Sequence, residues 1–170
     1  LPWTLALCFA GWFLLQSGAA WLCFHMPDRW FKPDRFPFRI TRWEKNGRLY
    51  GFLRVQQWKR WLPDGAAVVK GGYRKKKLTD FSERNLEQCV IESCRGELTH
   101  LLAILPFWLF GFIGPPAMLW WMLAYAIAVN MPCILAQRYN RPRFLRLLRL
   151  YDGKAKAQPT DPPSKQRRGR

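Results

Sequence analysis

Glu92, Gly96 and His100 follow one another at four-residue steps, so on a helix they line one face, with Glu97 a fraction of a turn away. A neutral imidazole in that position takes a proton from a hydroxyl, while Glu97 or Glu92 orients the ring and favours the imidazolium that forms. Asn130 joins the same constellation by counting. It lies fifteen residues after Pro115 and His100 lies fifteen before, and Gly114-Pro115-Pro116 reads as a turn. At ~1.5 Å rise per residue both side chains stand about 22 Å from that turn, at one depth on adjacent helices. The same count sets Glu92 opposite Arg138, and Gly96 leaves a gap between Glu92 and His100. A carboxamide beside the base would hold the substrate hydroxyl or the developing oxyanion, which completes what acylation of an alcohol needs. His100, Glu97 and Asn130 are therefore the candidate catalytic residues, as base, orienter and assisting amide.

A plainer reading of the same residues has Glu97 neutralised by Arg95 or Arg138 and His100 satisfied by a backbone carbonyl. Glu97-Leu-Thr-His100 also has the E-x-x-H spacing of di-iron bundles, but those need a second copy, and this chain has two histidines in all. Cys8, Cys23, Cys89, Cys94 and Cys133 form no CxxC pair, so neither a zinc site nor a disulfide framework is expected. Cys94 sits inside the charged motif, where a nucleophile or a small buried apolar residue would each fit. His25 closes the first apolar run as an interfacial residue. No metal and no other cofactor is expected.

The charge pattern says what must position these groups. Neither Leu98 to Gln137 nor Leu1 to Pro27 contains Asp, Glu, Lys or Arg, so 17 of the 28 Lys and Arg fall between Asp28 and Glu97 and 11 from Arg138 onward. Ionisable groups crowded at the edge of an uncharged run are expected to be functional, because charge at that depth is costly. Under the positive-inside rule both basic blocks face the cytoplasm, with the amino end and the Gly114-Pro115-Pro116 turn outside. The fold expected is an all-α integral membrane protein with about three transmembrane helices and amphipathic interfacial helices on the cytoplasmic side. A multi-pass membrane protein with a cytoplasmic C-terminus follows. The alternative for Leu1 to Met26 is a cleaved signal peptide with Ser17-Gly-Ala19 at its cleavage site, although no basic residue precedes the apolar run. A net charge of +17 would permit nucleic-acid binding, but the aromatics accompany apolar spans rather than a groove for bases, so no nucleic-acid partner is expected.

Five segments result: a first transmembrane helix over 1–26, a basic interfacial segment over 27–79, a helical hairpin over 80–137, an amphipathic basic helix over 138–152 and a disordered basic tail over 153–170. Phe52, Val55, Trp58 and Leu62 recur at helical steps after Asn46-Gly47, which predicts one interfacial helix ending at Pro63-Asp64-Gly65. Gly71-Gly72 and Arg74-Lys-Lys-Lys77 form a basic loop suited to an anionic leaflet or to phosphate. Asp80 and Ser82 are candidate caps for the hairpin's first helix, and Pro142 suits the first turn of the last helix.

These motifs also carry a likeness. Glu92-x-x-Arg95-x-Glu97-Leu-x-His100 with Ile104-Leu-Pro106, then Asn130-x-Pro132 and Gln137-Arg138-Tyr139-Asn140-Arg141-Pro142-Arg143, resemble the glycosyl-4,4'-diaponeurosporenoate acyltransferase family of staphyloxanthin biosynthesis. Weaker echoes are Pro27-Asp-Arg-Trp-Phe31, Glu44-Lys45-x-Gly47 and Trp58-Lys59, and the likeness covers roughly Met26 to Arg149. The resemblance implies a bacterial plasma-membrane enzyme that esterifies the sugar of a glycosylated apocarotenoid with a fatty acyl group. Glu92, Arg95, Gln137, Arg138, Tyr139, Asn140, Arg141 and Arg143 are then the expected substrate-binding residues, with Arg138, Arg141 and Arg143 gripping phosphate. The expected partners are acyl-CoA or another activated acyl donor as co-substrate, a glycosylated lipid acceptor, and membrane lipids. A non-catalytic membrane scaffold that recruits anionic lipid or an acidic partner is the alternative.

Overall fold

The structure, a computed structural model, describes residues 2–41, 44, 48–62 and 82–157. The basic loop around Arg74, the cap at Asp80 and the tail beyond Ala157 lie outside the described residues. Helix α1 spans Pro2–His25, α2 Arg48–Phe52, α3 Val55–Trp58, α4 Glu83–Ile104 and α5 Pro116–Ala157. Among the described residues there is no strand.

α1 and α5 are each long and apolar enough to cross a membrane. Both present bare apolar side chains outward: Trp3 is 82% exposed, Phe13 70% and Trp121 76%. Trp3 and Trp21 on α1 are both exposed and lie about 27 Å apart along the axis, close to the ~30 Å of a hydrocarbon core.

α4 pairs most extensively with α5 and also packs on α1. It runs antiparallel to both, whereas α1 and α5 run parallel: Cys8 meets Met118, Trp12 meets Tyr125 and Gln16 meets Asn130 at a nearly constant offset. The end of the bundle nearer the turn after Phe112 is closed by Cys8, Trp12, Phe110 and Ala126. Phe31, Phe38 and Cys94 close the opposite end beside α4.

The far end of α4 tightens into a 3₁₀ helix over Leu105–Phe112. Pro106 has no N–H for the carbonyl of Leu102, so the α-helical ladder cannot continue unbroken. At about 2.0 Å rise per residue these eight residues reach further than an α-helix of the same length would. The chain turns at 113–115, and the close approach of Met118 Sδ, 2.7 Å from where a Cβ on Gly114 would stand, suits glycine there.

Two expectations about local structure need correction. The interfacial helix after Asn46-Gly47 is not continuous, because Arg54 takes a left-handed conformation (φ 50°) that separates α2 from α3. Val55 and Tyr50 turn inward onto Ala136 and Tyr139, a buried cluster that an unbroken helix lying on the surface would not make. The separate helix expected over 138–152 is instead the continuation of α5, which passes through both Pro132 and Pro142. Burial of Tyr139 and Arg141 just before Pro142 holds the helical course where propensity alone would end it.

Candidate active site

Three polar side chains meet between α1, α4 and α5. His100 Nδ1 lies 2.8 Å from Asn130 Oδ1, and Gln16 Nε2 donates to the same oxygen at 3.2 Å. Asn130 is fully buried, and its Nδ2 donates to the carbonyl of Ala126 at 3.0 Å. That last bond fixes the amide orientation, since only nitrogen can donate to a carbonyl. Oδ1 is thus an acceptor, His100 Nδ1 carries the proton, and the neutral ring has its lone pair on Nε2. Gln16 Oε1 is buried without a hydrogen-bond partner. Gln16 escaped the sequence reading; the available signal was an amide within an otherwise apolar span.

About 12 Å further along α5, nearer its basic end, lies a second polar layer. Glu97 is buried, with Oε1 accepting from Arg138 Nε at 2.7 Å and Oε2 from Arg141 Nη2 at 2.5 Å. Arg138 also donates to Glu44 Oε1 at 2.6 Å and to the carbonyl of Pro37 at 2.7 Å. Arg141 is fully buried, donating to Ser93 Oγ at 2.9 Å and to the carbonyls of Phe38 and Ser93 at 2.7 and 3.1 Å. Every guanidinium nitrogen of both arginines therefore has a protein partner on α4, at Pro37 or Phe38, or at Glu44. The expectation that Arg138 and Arg141 grip a substrate phosphate meets side chains already engaged within the protein: Arg141 is fully buried, and the Arg138 side chain is 18% exposed.

Glu44 is a buried carboxylate that the spacing did not reveal as part of the site. Burial pushes its pKa up, but hydrogen bonds from Thr41 and Tyr50 and the charge of Arg138 outweigh that and hold it below the ordinary value. The phenol of Tyr50, 2.6 Å from Glu44 Oε2, is pushed above its usual range by burial and by that carboxylate.

Other expected positions resolve as follows. Glu92 does not face Arg138; it accepts from Gln88 and from Arg95, whose guanidinium also reaches Asp28 and stacks on Phe31 at 4.8 Å. The gap expected at Gly96 is filled by Gln137, whose Nε2 stands 3.2 Å from where a Cβ would be. Tyr139 is buried and donates to Gln56 Oε1 at 3.2 Å, while Asn140 Oδ1 accepts from Lys59 Nζ at 2.8 Å. Arg143 alone of the three expected phosphate ligands is exposed, lying over the Tyr139 ring at 3.4 Å. Cys94 packs with Phe31 and Phe38 as a small apolar residue. His25 Nδ1 meets the carbonyl of Trp21 at 2.8 Å. Among the described residues no group of three His, Cys, Asp or Glu could hold a metal.

A small all-helical protein with two membrane-length helices and a half-buried imidazole paired with a buried carboxamide is the class this fold and site define. The family model for glycosyl-4,4'-diaponeurosporenoate acyltransferase matches residues 27–150, and the chain belongs to that family. Relatives named glycosyl-4,4'-diaponeurosporenoate acyltransferase, from Staphylococcus aureus strain bovine RF122 / ET3-1 and strain Newman, are each 32% identical over 148 residues, covering 86% of this chain and 89% of theirs. No solved structure matches.

Proposed function

We propose that this protein is an integral-membrane O-acyltransferase that transfers a fatty acyl group from an activated donor such as acyl-CoA to a hydroxyl of a glycosylated membrane lipid. The relatives' name points to a glycosylated apocarotenoid as acceptor. Three crossings suit the charge pattern: α1, the apolar end of α4 with its 3₁₀ extension, and the first half of α5. The basic blocks then face the cytoplasm of a bacterial cell.

The observation that carries the mechanism is the Asn130 oxygen facing His100 Nδ1. It leaves Nε2 as the basic nitrogen, so the ring is ready to take the hydroxyl proton as the alcohol oxygen attacks the acyl carbonyl. The ester C–O bond forms, the thioester C–S bond breaks, and the proton passes from the imidazolium to the departing thiolate. Asn130, held by Gln16 and by Ala126, is the orienter in this scheme, in the place first given to Glu97. Glu97 instead holds Arg138 and Arg141, which fixes α4 against α5 at the depth that brings His100 to Asn130.

The test is transfer of labelled acyl groups from acyl-CoA to a glycosylated apocarotenoid by the purified protein in lipid. Wild type should release one thiol per ester formed, and His100→Ala should lose a factor of about 10² to 10⁴. Full turnover by His100→Ala would remove the base from the scheme.

A further inference from the structure

Lys59 and Arg143 both lie over one ring, that of Tyr139. Lys59 Nζ stands 4.9 Å from the Tyr139 centroid and Arg143 lies at 3.4 Å. Arg95, Arg138 and Arg141 each have a carboxylate partner, but among the described residues Lys59 and Arg143 have none. Lys59 is half-buried, and among the described residues its oxygen contact is the Asn140 amide. Its pKa is lowered, by burial and then by the neighbouring Arg143 charge, as expected of two cations that lack an anion between them.

An apolar cleft of about 270 Å³ continues from this corner, lined by Trp58, Ile127, Ala128, Met131, Pro132 and Leu135. Trp58 adjoins Lys59 in sequence, and Trp58 and Leu135 both pack on the cluster that contains Tyr139, so the cations and the cleft are contiguous. The cleft follows α5 from Leu135 to Ile127, away from the charged corner, over about 12 Å. It lies on a different side of α5 from Asn130, whose face is buried against α4 and α1. An acyl chain held there does not reach His100.

We propose that this corner and cleft bind one anionic phospholipid, its phosphate between Lys59 and Arg143 and one acyl chain along α5 from Leu135 to Ile127. The proposal rests on the membrane reading above but not on His100 being a base. Its chemistry is a charge-assisted phosphate contact at the headgroup layer with an apolar tail beneath it.

Protein reconstituted in phosphatidylcholine nanodiscs containing phosphatidylglycerol is extracted in mild detergent, and retained lipid is measured by native mass spectrometry. One phosphatidylglycerol per chain should be retained in preference to phosphatidylcholine. Lys59→Gln with Arg143→Gln should weaken retention about 25-fold, a factor of about five per cation. Lys59→Arg with Arg143→Lys should retain it, and so should Arg146→Gln with Arg149→Gln, which removes equal charge, all of it from α5. Ala128→Phe should narrow the cleft and lower retention with both cations intact. Retention unchanged in the Lys59→Gln, Arg143→Gln pair overturns the proposal. Equal loss in the Arg146, Arg149 control reduces it to general surface attraction and overturns it too. Stoichiometric displacement by acyl-CoA would assign the site to the acyl donor instead. His100→Ala should retain the lipid as wild type does, whatever its turnover, which separates this result from the fate of the catalytic scheme.

Discussion

His100 Nδ1 and Asn130 Oδ1 stand 2.8 Å apart although thirty residues separate them in the chain. The pairing sets which imidazole nitrogen is basic, and it depends on one amide oxygen that also accepts from Gln16.

Asn130→Leu removes that acceptor and leaves the tautomer unset. Turnover should fall by about 10² while the acceptor-lipid KM changes little, because a tautomer defect acts on the chemical step. Asn130→Asp keeps an oxygen in place and should retain more activity than Asn130→Leu. Steady-state kinetics on both variants in lipid decide the point; a KM effect alone would count against the role.

Gln16 Oε1 is a buried acceptor with no partner, an arrangement that costs about 1–3 kcal/mol. Gln16→Met deletes it along with the bond to Asn130. The variant should melt at or above the wild-type temperature yet turn over more slowly. Thermal denaturation in detergent and an acyl-transfer assay give the two halves; lower stability with unchanged turnover would make Gln16 purely structural.

Arg141 is fully buried and paired with Glu97 Oε2. Arg141→Met leaves the carboxylate with one guanidinium instead of two, and breaking a buried pair in this way costs about 3–5 kcal/mol. Glu97→Gln should destabilise by a similar amount, and the two losses should fall short of additive in the double variant. A melting series on the three proteins tests it, and near-neutral single variants would contradict the geometry.

Glu44 is held below its ordinary pKa when folded, so the folded state favours its charged form. Its contribution to stability is present above the unfolded carboxylate pKa and is lost as pH falls through the folded value. Melting temperature should therefore drop on acidification below about pH 4.5, the ordinary carboxylate value. Glu44→Gln should flatten that drop and lower stability at neutral pH, because Arg138 and Tyr50 lose their anion.

Some of this architecture was legible in the residues and some was not. Equal counting from Pro115 paired His100 with Asn130 because both arms are helical and the turn is short. It failed for Glu92 and Arg138, where side-chain reach decides: Glu97 lies one turn nearer, and a long guanidinium finds it first. The roles of Arg138 and Arg141 were hidden because the carbonyls of Pro37 and Phe38 and the carboxylate of Glu44 arrive from a segment whose path no periodicity announces. The continuity of α5 through Pro142 is tertiary packing overruling propensity. The break at Arg54 is a single left-handed residue, a conformation that arginine does not advertise.

In the proposed membrane placement the spacing of Trp3 and Trp21 acts as a ruler as well as an anchor. With an indole at each water boundary, Gln16 would lie about 7 Å beneath Trp21, and Asn130 and His100 with it. A glycosylated lipid has to offer its hydroxyl at that same level. A thicker or thinner host bilayer would slide sugar and imidazole out of alignment without altering a single residue, so membrane thickness itself becomes a determinant of which lipid is esterified.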